Sequence, residues 1–479
     1  MFKYQHINQN LLGSVVLLLV SVFLLTGFFI TDITSLNKGL GIDGMWYNKI
    51  ISEENYKIDD YHLFKSLPSH LIKTFFDILN IDISHKRILI YFKFFNLICL
   101  FSCLLFFNKI SKKHLHDRYN LLAILSLLTF IVLKVSNYDV VTPDYFGFLL
   151  ATIFMYYYLC RKYSFLIVIL ILSFFTNPIV FLIGMIILIF SNTLPKVIDT
   201  KFSSKFSLFF SLLFGFIIFT WSIYMIIPMY KAHVELTLWI IPDTLNIKVF
   251  PFSAIVVSAF CAYFSFYLFQ YSIPFVNFSN ILRLKFKWII LFIIFLAGKS
   301  FLISYNNHPI NLDDIGHLVY VWPLYFCMKP LAGVSEHIHS LGILIVFALI
   351  LWKDIVSESS KLFGIGGLII LGLFVLFIIK PEARHALPFV PIISFLVVKV
   401  ISQNFLEFKN ILFVLFLNIL FSKIYYPLHI ASFSGNPQEF PAQHYFMFFG
   451  FSCNYTMYTF QALVSVFIFL FYNKIIFQK

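Results

Sequence analysis

Long apolar runs divide this sequence and restrict its fold more than any other feature. The first, Leu11 to Ile30, is about 20 residues long and carries no charged residue. A helix of this length spans a bilayer, and lipid offers the backbone no hydrogen-bond partner outside the helix. With 60% hydrophobic and 12% charged residues, the chain has about half the charge of a soluble domain. We therefore predict an all-α polytopic membrane protein, with the first run kept as a span because no small-residue cleavage site follows it.

Counting the apolar runs predicts about 12–14 transmembrane helices in a single transmembrane domain over 1–479, with no separate soluble domain. The predicted spans are 11–31, 88–107, 119–134, 145–160, 206–229, 251–277, 288–303, 339–352, 361–379, 386–402, 410–425 and 458–473. A further run, 163–190, is interrupted at Asn177-Pro178 and has basic residues at both ends. This pattern predicts two short helices that turn at Asn177, whereas a single kinked helix would reverse the orientation of everything downstream.

The positive charge is concentrated in short segments between apolar runs. The net charge is +13, which in a soluble protein would favour a nucleic-acid partner. Here segments such as "NKISKKHLHDR" (108–118) follow the rule that basic loops stay in the cytoplasm, so we predict cytoplasmic termini, contact with membrane lipids and no nucleic acid. The six cysteines show no CxxC or metal-type spacing and are predicted to act as small hydrophobic residues.

The longest outer loop, 32–87, carries the first candidate for chemistry. Residues 63–79 place apolar side chains at helical spacing opposite a polar face, which predicts an amphipathic helix lying in the outer membrane interface. Before it, "GIDGMWYNKII" (41–51) sets Asp43 between Gly41 and Gly44, which let the backbone approach a ligand closely. A carboxylate there is a candidate general base; the alternative is an ordinary Asp-Gly turn at the end of a helix.

Two later segments are predicted to face the same side of the membrane. In "NYDVVTPDYFGFLL" (137–150), Asp144 is a second candidate catalytic acid and Asp139 a weaker one; the alternative for Asp144 is a stabilising charge at a helix N-terminus. In "KPEARHALPF" (380–389), Arg384 offers a planar fork of donors that matches phosphate oxygens. Lys380 and His385 are predicted to assist it, while the alternatives are pairing of Arg384 with Glu382 or simple extension to the interface.

Other polar and aromatic residues of the outer side are candidates for substrate binding. Trp46 and Tyr47 follow Asp43 at the interface, where aromatic belts also occur without any ligand. The loop 306–340 contains His317 as a substrate-binding candidate, together with the following potential metal ligands: Asp313, Asp314, His337 and His339. No spacing among them demands a metal, so we predict no cofactor, leave a divalent metal open, and interpret the loop as acceptor-binding or solvated.

Asp43 directly after the first span, the interfacial helix 63–79, an acid at 139 or 144 and a basic residue before Leu387-Pro388 together resemble the GT-C superfamily of membrane glycosyltransferases. The resemblance covers most of the chain, although this sequence has no large C-terminal soluble domain and no acid adjacent to Asp43. It implies a transferase of the bacterial inner membrane with its active site facing the periplasm. The enzyme would move a sugar from a polyprenyl-phosphate-linked donor to an unknown lipid, glycan or protein acceptor.

Two other functions remain open from the sequence. An envelope polysaccharide polymerase or ligase also uses outer Arg and His with lipid-linked sugars. A lipid or solute transporter is the third candidate, although transporters often show internal repeats and midplane charges, neither of which this sequence displays. The absence of a P-loop or Rossmann glycine pattern argues against a nucleotide-sugar donor.

Overall fold

The computed structural model describes residues 9–41, 43–53, 60–116, 118–191, 193, 200–232, 248–275, 280, 284–305, 326–327, 329–380, 382–404, 408–425 and 455–477. Within these residues the regular structure is entirely helical, as predicted. The α-helices of the first half are Gln9–Ile30, Gly44–Ser52, Asp60–Leu63, Leu67–Ile78, His85–His114, Leu121–Leu127, Ser136–Tyr138, Asp144–Leu159, Tyr163–Phe174, Pro178–Phe190 and Thr200–Ala232. Those of the second half are Phe250–Ser272, Phe286–Tyr305, Ala332–Leu341, Ile343–Ile350, Trp352–Ile379, Val390–Asn404, Phe408–Ser422 and Tyr455–Phe477. Short 3-10 turns cover Leu36–Gly39, Ile273–Phe275 and Ala383–Phe389, and a π turn covers Ile131–Val135.

Six helices of the described residues are long and apolar enough to cross a membrane, and a seventh span is formed if the bent pair Leu121–Leu127 and Ile131–Tyr138 is counted as one. The six are Leu11–Ile30, His85–His114, Ser204–Tyr224, Phe250–Phe275, Trp352–Ile379 and Ala383–Ser402. Large apolar side chains on several of these helices are exposed, for example Leu18, Phe209 and Phe252. Water does not tolerate such surfaces, so the chain is an integral membrane protein. The larger predicted number of spans stays a prediction.

The prediction of one continuous helix over 339–352 is wrong, because the helix breaks inside this segment. Gly342 has a φ of +66°, which ends helix Ala332–Leu341 and begins helix Ile343–Ile350. The Asn418 side-chain oxygen accepts a hydrogen bond from the Ile343 N–H at 3.1 Å. Such a break is tolerated among packed helices because a neighbouring side chain satisfies the freed backbone group.

The predicted pair of short helices between 163 and 190 is present. Helix Tyr163–Phe174 ends before Asn177, whose side-chain oxygen accepts from the N–H of Ile179 and caps helix Pro178–Phe190. A Cβ placed on Gly184 would lie 2.6 Å from the Leu170 side chain. Leu170 and Gly184 are equally far from Asn177 along the chain, so the two helices pack antiparallel as a hairpin.

The predicted amphipathic helix of the first loop is helix Leu67–Ile78, here called the interfacial helix. Ile72 and Phe76 face inward and pack in a small core that also contains Tyr47 and Val141. On another side of the helix, three apolar residues are exposed: Leu71 (43%), Phe75 (45%) and Ile78 (72%). An exposed apolar stripe beside a packed one suits a helix lying on the bilayer surface, and it places the neighbouring Asp43 turn at the end of the bundle.

The cysteines of the described residues are free, and Cys99, Cys103, Cys261 and Cys327 are buried, as expected of small hydrophobic residues.

Candidate functional site

Asp43 and Arg384, which are far apart in sequence, are in direct contact. Asp43 precedes helix Gly44–Ser52, and Arg384 lies in the 3-10 turn Ala383–Phe389. The Arg384 Nη1 atom is 2.8 Å from the Asp43 Oδ2 atom, and both side chains are largely shielded from solvent. The two residues that the sequence proposed as base and phosphate binder therefore lie side by side in the fold.

Glu382 links Arg384 to the other two predicted basic residues. Its Oε1 atom accepts from Arg384 Nε at 2.9 Å, and its Oε2 atom lies 2.7 Å from Lys380 Nζ and 3.1 Å from His385 Nδ1. Lys380 Nζ is also 2.9 Å from His385 Nδ1. Burial by itself raises the pKa of Glu382, but His385, Lys380 and Arg384 hold it well below its usual range. The carboxyl group is therefore ionised, and together with Asp43 it balances the charges of Arg384 and Lys380.

The Asp43 carboxyl is also ionised. Burial raises its pKa, but Arg384, the nearby His62 and the charge of Lys65 outweigh that effect and hold the pKa below its usual range. His62 Nε2 lies 3.8 Å from Asp43 Oδ1. The sequence interpretation missed His62; its position at the start of the predicted amphipathic stretch was the available signal.

Trp46 and Tyr47 surround His62. The Trp46 ring stacks on the His62 ring with centroids 5.5 Å apart, and the Tyr47 ring meets it edge-on at 5.5 Å. Lys49 Nζ lies over the Trp46 ring, 4.7 Å from its centroid. Tyr47 is buried and contributes to the small core of the loop, whereas Trp46 remains half-buried. Of the two, Trp46 is the better placed to contact a substrate.

Asp144 is buried in the first turn of helix Asp144–Leu159. A negative charge at this position is stabilised by the dipole of the helix. The Asp144 Oδ2 atom accepts from the Thr142 hydroxyl at 2.7 Å, and its own N–H donates weakly to the same hydroxyl at 3.4 Å. This geometry matches the structural alternative given for Asp144. The Asp144 carboxyl also lies close enough to Asp139 to add to the raised pKa of that residue.

Asp139 is closer to the centre of the site than its sequence pattern suggested. Burial raises its pKa to about 7; Arg384 opposes that shift, whereas Asp43 and Asp144 add to it. A Cβ added to Gly41 would lie 2.1 Å from Asp139 Oδ1. Asp139 therefore combines contact with the Asp43 turn and a pKa close to neutrality, which is the range that suits a general base.

The two glycines beside Asp43 pack against another segment of the chain. Gly41 has a φ of +75°, and a Cβ on Gly44 would lie 2.8 Å from Val141 Cβ. Both glycines thus let the first loop approach the 139–141 segment of the chain itself. This packing requires small residues at both positions, and the expected approach of the backbone to a ligand stays a prediction.

Residues 332–341 form a completely buried helix, here called the buried polar helix, so the prediction of a solvated or acceptor-binding loop is wrong for this part. His337 Nδ1 contacts the Gly333 carbonyl at 2.6 Å, and His339 Nε2 contacts the Gln461 carbonyl at 3.2 Å. His337 thus contacts a carbonyl one turn earlier in its own helix, whereas His339 contacts a carbonyl of helix Tyr455–Phe477. The remaining candidates of this loop, Asp313, Asp314 and His317, lie outside the described residues.

The buried polar helix also supplies Glu336, which the sequence interpretation did not single out. Glu336 is fully buried, and its Oε1 atom accepts from the Ala383 N–H at 2.9 Å. No group of three His, Cys, Asp or Glu within the described part of the chain is arranged to hold a metal ion.

A cavity of about 800 Å³ lies on another side of the buried polar helix. Its lining is mostly apolar and comes from helices Phe250–Ser272, Ala332–Leu341, Ile343–Ile350 and Tyr455–Phe477. Asp43, Asp144 and Arg384 do not line it, so it is not the shared pocket that the candidate residues would require.

Comparisons of this chain with protein-family models, curated proteins and solved structures find no match.

Proposed function

We propose that this protein is a membrane glycosyltransferase of the GT-C type. It transfers a sugar from a polyprenyl-phosphate-linked donor to a lipid, glycan or protein acceptor at the periplasmic face of a bacterial inner membrane. The observation that carries the proposal is the 2.8 Å contact between Asp43 and Arg384. It joins an acid after the first span to a guanidinium before a late span, which is the arrangement that the GT-C resemblance implies.

Arg384 and Lys380 are suited to hold a phosphate. During transfer, the acceptor oxygen bonds to the anomeric carbon of the sugar, and the bond from that carbon to the phosphate oxygen breaks. The electron pair goes to the phosphate, whose negative charge grows in the transition state. Cationic groups that are already fixed in a partly buried site stabilise such charge most effectively.

Asp43 is proposed to receive the acceptor proton, and this requires its release from Arg384. A carboxylate with a strongly lowered pKa is a weak base. Asp43 is held by Arg384 and, at 3.8 Å, by His62, whereas Glu382 contacts Arg384, Lys380 and His385. An arriving phosphate therefore displaces Asp43 in preference to Glu382. Loss of the Arg384 contact returns the pKa of Asp43 toward its usual value, so the donor itself activates the base.

The location of the site supports a lipid-bound donor. The exposed apolar stripe of the interfacial helix marks the depth of the bilayer surface. His62 lies just before this helix and 3.8 Å from Asp43. Most ion pairs of the described residues lie in the first loop or near Arg384. The others join Glu358, in the second turn of helix Trp352–Ile379, to Lys361 and Lys399. Charges at helix ends favour an enzyme over a transporter with midplane charges.

The proposal is tested with purified protein, a polyprenyl-phosphate sugar and measurement of donor affinity. Arg384→Ala should weaken donor binding by at least about tenfold, because a charge-assisted hydrogen bond is lost. Arg87→Ala is the matched control, since Arg87 also pairs with a first-loop acid, Asp82, but on the exposed surface. If both variants bind the donor as tightly as the wild type, Arg384 does not hold the phosphate and the proposal fails.

A polymerase or ligase would use the same donor chemistry. Supplying radiolabelled donor with lipid, glycan and protein acceptors in separate reactions distinguishes these functions. Product that elongates a glycan chain would favour the polymerase.

A further inference from the structure

Glu336 is a buried carboxyl group with a specific backbone partner. It is fully buried in the buried polar helix (Ala332–Leu341), and its Oε1 atom accepts a hydrogen bond from the Ala383 N–H at 2.9 Å. Burying a carboxyl group is costly unless hydrogen bonds compensate for the lost water. The partner is the residue directly before Arg384, so the bond fixes the backbone from which the Arg384 side chain extends.

The same helix holds the chain just before Lys380. A Cβ on Gly333 would lie 2.2 Å from the Ile379 carbonyl oxygen, so the helix backbone directly contacts the end of helix Trp352–Ile379. Gly333 and Glu336 are three residues apart and lie on neighbouring turns of one helix face. They contact the chain at Ile379, just before Lys380, and at Ala383, just after Glu382, and so fix the backbone at both of these positions.

We propose that Glu336 is a positioning residue that sets the place of Arg384 through the Ala383 N–H. The inference rests on the proposed function, in which Arg384 binds the donor phosphate. Through the bond of its Oε1 atom to the Ala383 N–H, Glu336 orients the backbone segment that supplies Arg384 and His385. The Arg384 guanidinium has to exchange Asp43 for a phosphate, so the backbone that carries it needs a fixed position. A misplacement of about 1 Å costs roughly a hundredfold in rate.

The test compares Glu336→Ala, Glu336→Gln and the double variant Glu336→Ala/Arg384→Ala in binding to a polyprenyl monophosphate in detergent. Ser335→Ala is the matched control, because Ser335 is a buried polar neighbour on the same helix whose hydroxyl contacts Ser465 at 3.4 Å. Amide hydrogen exchange of residues 383–389 is measured on each variant as a readout independent of ligand binding.

Glu336→Ala should weaken phosphate-lipid binding by about tenfold and accelerate exchange over 383–389. Glu336→Gln should stay within about threefold of the wild type, because its amide oxygen still accepts from the Ala383 N–H. In the Arg384→Ala background, Glu336→Ala should change the affinity by less than about twofold, since positions that act through one another are not additive.

Three results would overturn the positioning role. They are an equal loss in Glu336→Gln and Glu336→Ala, the same loss in both Arg384 backgrounds, or unchanged exchange over 383–389 in Glu336→Ala. If Glu336→Ala does not fold, Glu336→Asp replaces it, because its shorter side chain should lose the bond to the Ala383 N–H; wild-type affinity and exchange in Glu336→Asp would then overturn the positioning role. Accelerated exchange combined with wild-type phosphate binding by Arg384→Ala would refute the proposed function while leaving the positioning role intact.

Discussion

Asp43→Asn separates two roles that the structure gives to one carboxylate. The wild-type carboxylate occupies Arg384 at 2.8 Å and is proposed to take the acceptor proton once a phosphate displaces it. Asparagine keeps the size and the hydrogen-bonding oxygen but carries no charge and takes no proton at neutral pH. The substitution should therefore improve donor binding and slow transfer, two effects of opposite sign.

The size of the binding effect follows from the exchange of hydrogen bonds. Arg384 and Asp43 are only 17% and 21% exposed, so solvent screens their attraction little. A charge-assisted bond contributes roughly 1.5–3 kcal/mol, and the neutral bond to asparagine contributes roughly 0.5–1.5 kcal/mol. The difference, about 1–1.5 kcal/mol, corresponds to roughly five- to tenfold tighter binding of a polyprenyl monophosphate. The transfer rate should fall by about 10²–10⁴-fold, as for loss of a general base.

Titration of purified protein with a polyprenyl monophosphate and a single-turnover transfer assay measure both quantities. Asp82→Asn is the matched control: it removes an acid from an ion pair with Arg87 in the same loop, but on the exposed surface. Its affinity and rate should equal those of the wild type. Weaker donor binding by Asp43→Asn would refute the competition for Arg384, and a near wild-type transfer rate would refute the base role.

Two further predictions concern the packing around Asp43. Burial raises the pKa of Asp139 to about 7 from an ordinary 3.8; the folded protein therefore binds this proton more tightly than the unfolded chain, and stability falls as the pH rises from about 4 to about 7. Asp139→Asn should reduce that fall, seen as a smaller difference between thermal midpoints at about pH 5 and about pH 8, and an unchanged difference would contradict the burial of the charge. Gly41→Ala should destabilise the protein by at least about 1–2 kcal/mol, because Gly41 has a φ of +75° and its Cβ would meet Asp139. Gly298→Ala is the control for thermal unfolding, since a Cβ there meets nothing within 4 Å; equal midpoints for the two variants would show that the Asp43 turn is not strained by a side chain.

Sequence patterns predicted the helical membrane class and the 163–190 hairpin, because both depend on local chemistry. Apolar length defines a helix that crosses lipid, and an asparagine followed by proline both caps and starts a helix. The contact of Asp43 with Arg384 is a different case. No local pattern encodes it; the resemblance to GT-C enzymes suggested that the two residues share a site.

The buried polar helix shows where a sequence pattern fails. "AGVSEHIHSL" has the polar composition of a loop, yet every residue in it is buried. Its polar groups have backbone partners on other segments: His339 contacts Gln461, and Glu336 contacts Ala383. Such partners are distant in sequence, and no periodicity indicates them. The same holds for His62, whose relation to Asp43 depends on how the first loop folds back on itself.

The charged side chains of the candidate site lie on turns, and these turns are held in place by close packing. Its charged side chains come from turns that follow or precede helices, where backbone conformations are least fixed by hydrogen bonding within a helix. Each turn is held by a close contact of a glycine: Gly41 lies against the Asp139 carboxyl group, and Gly333 lies against the Ile379 carbonyl. A larger side chain at either glycine would separate the turns and lengthen the 2.8 Å contact of Asp43 with Arg384. The exchange of one carboxylate for one phosphate depends on that distance, so the small residues behind the site are as necessary to the proposed chemistry as the charges within it.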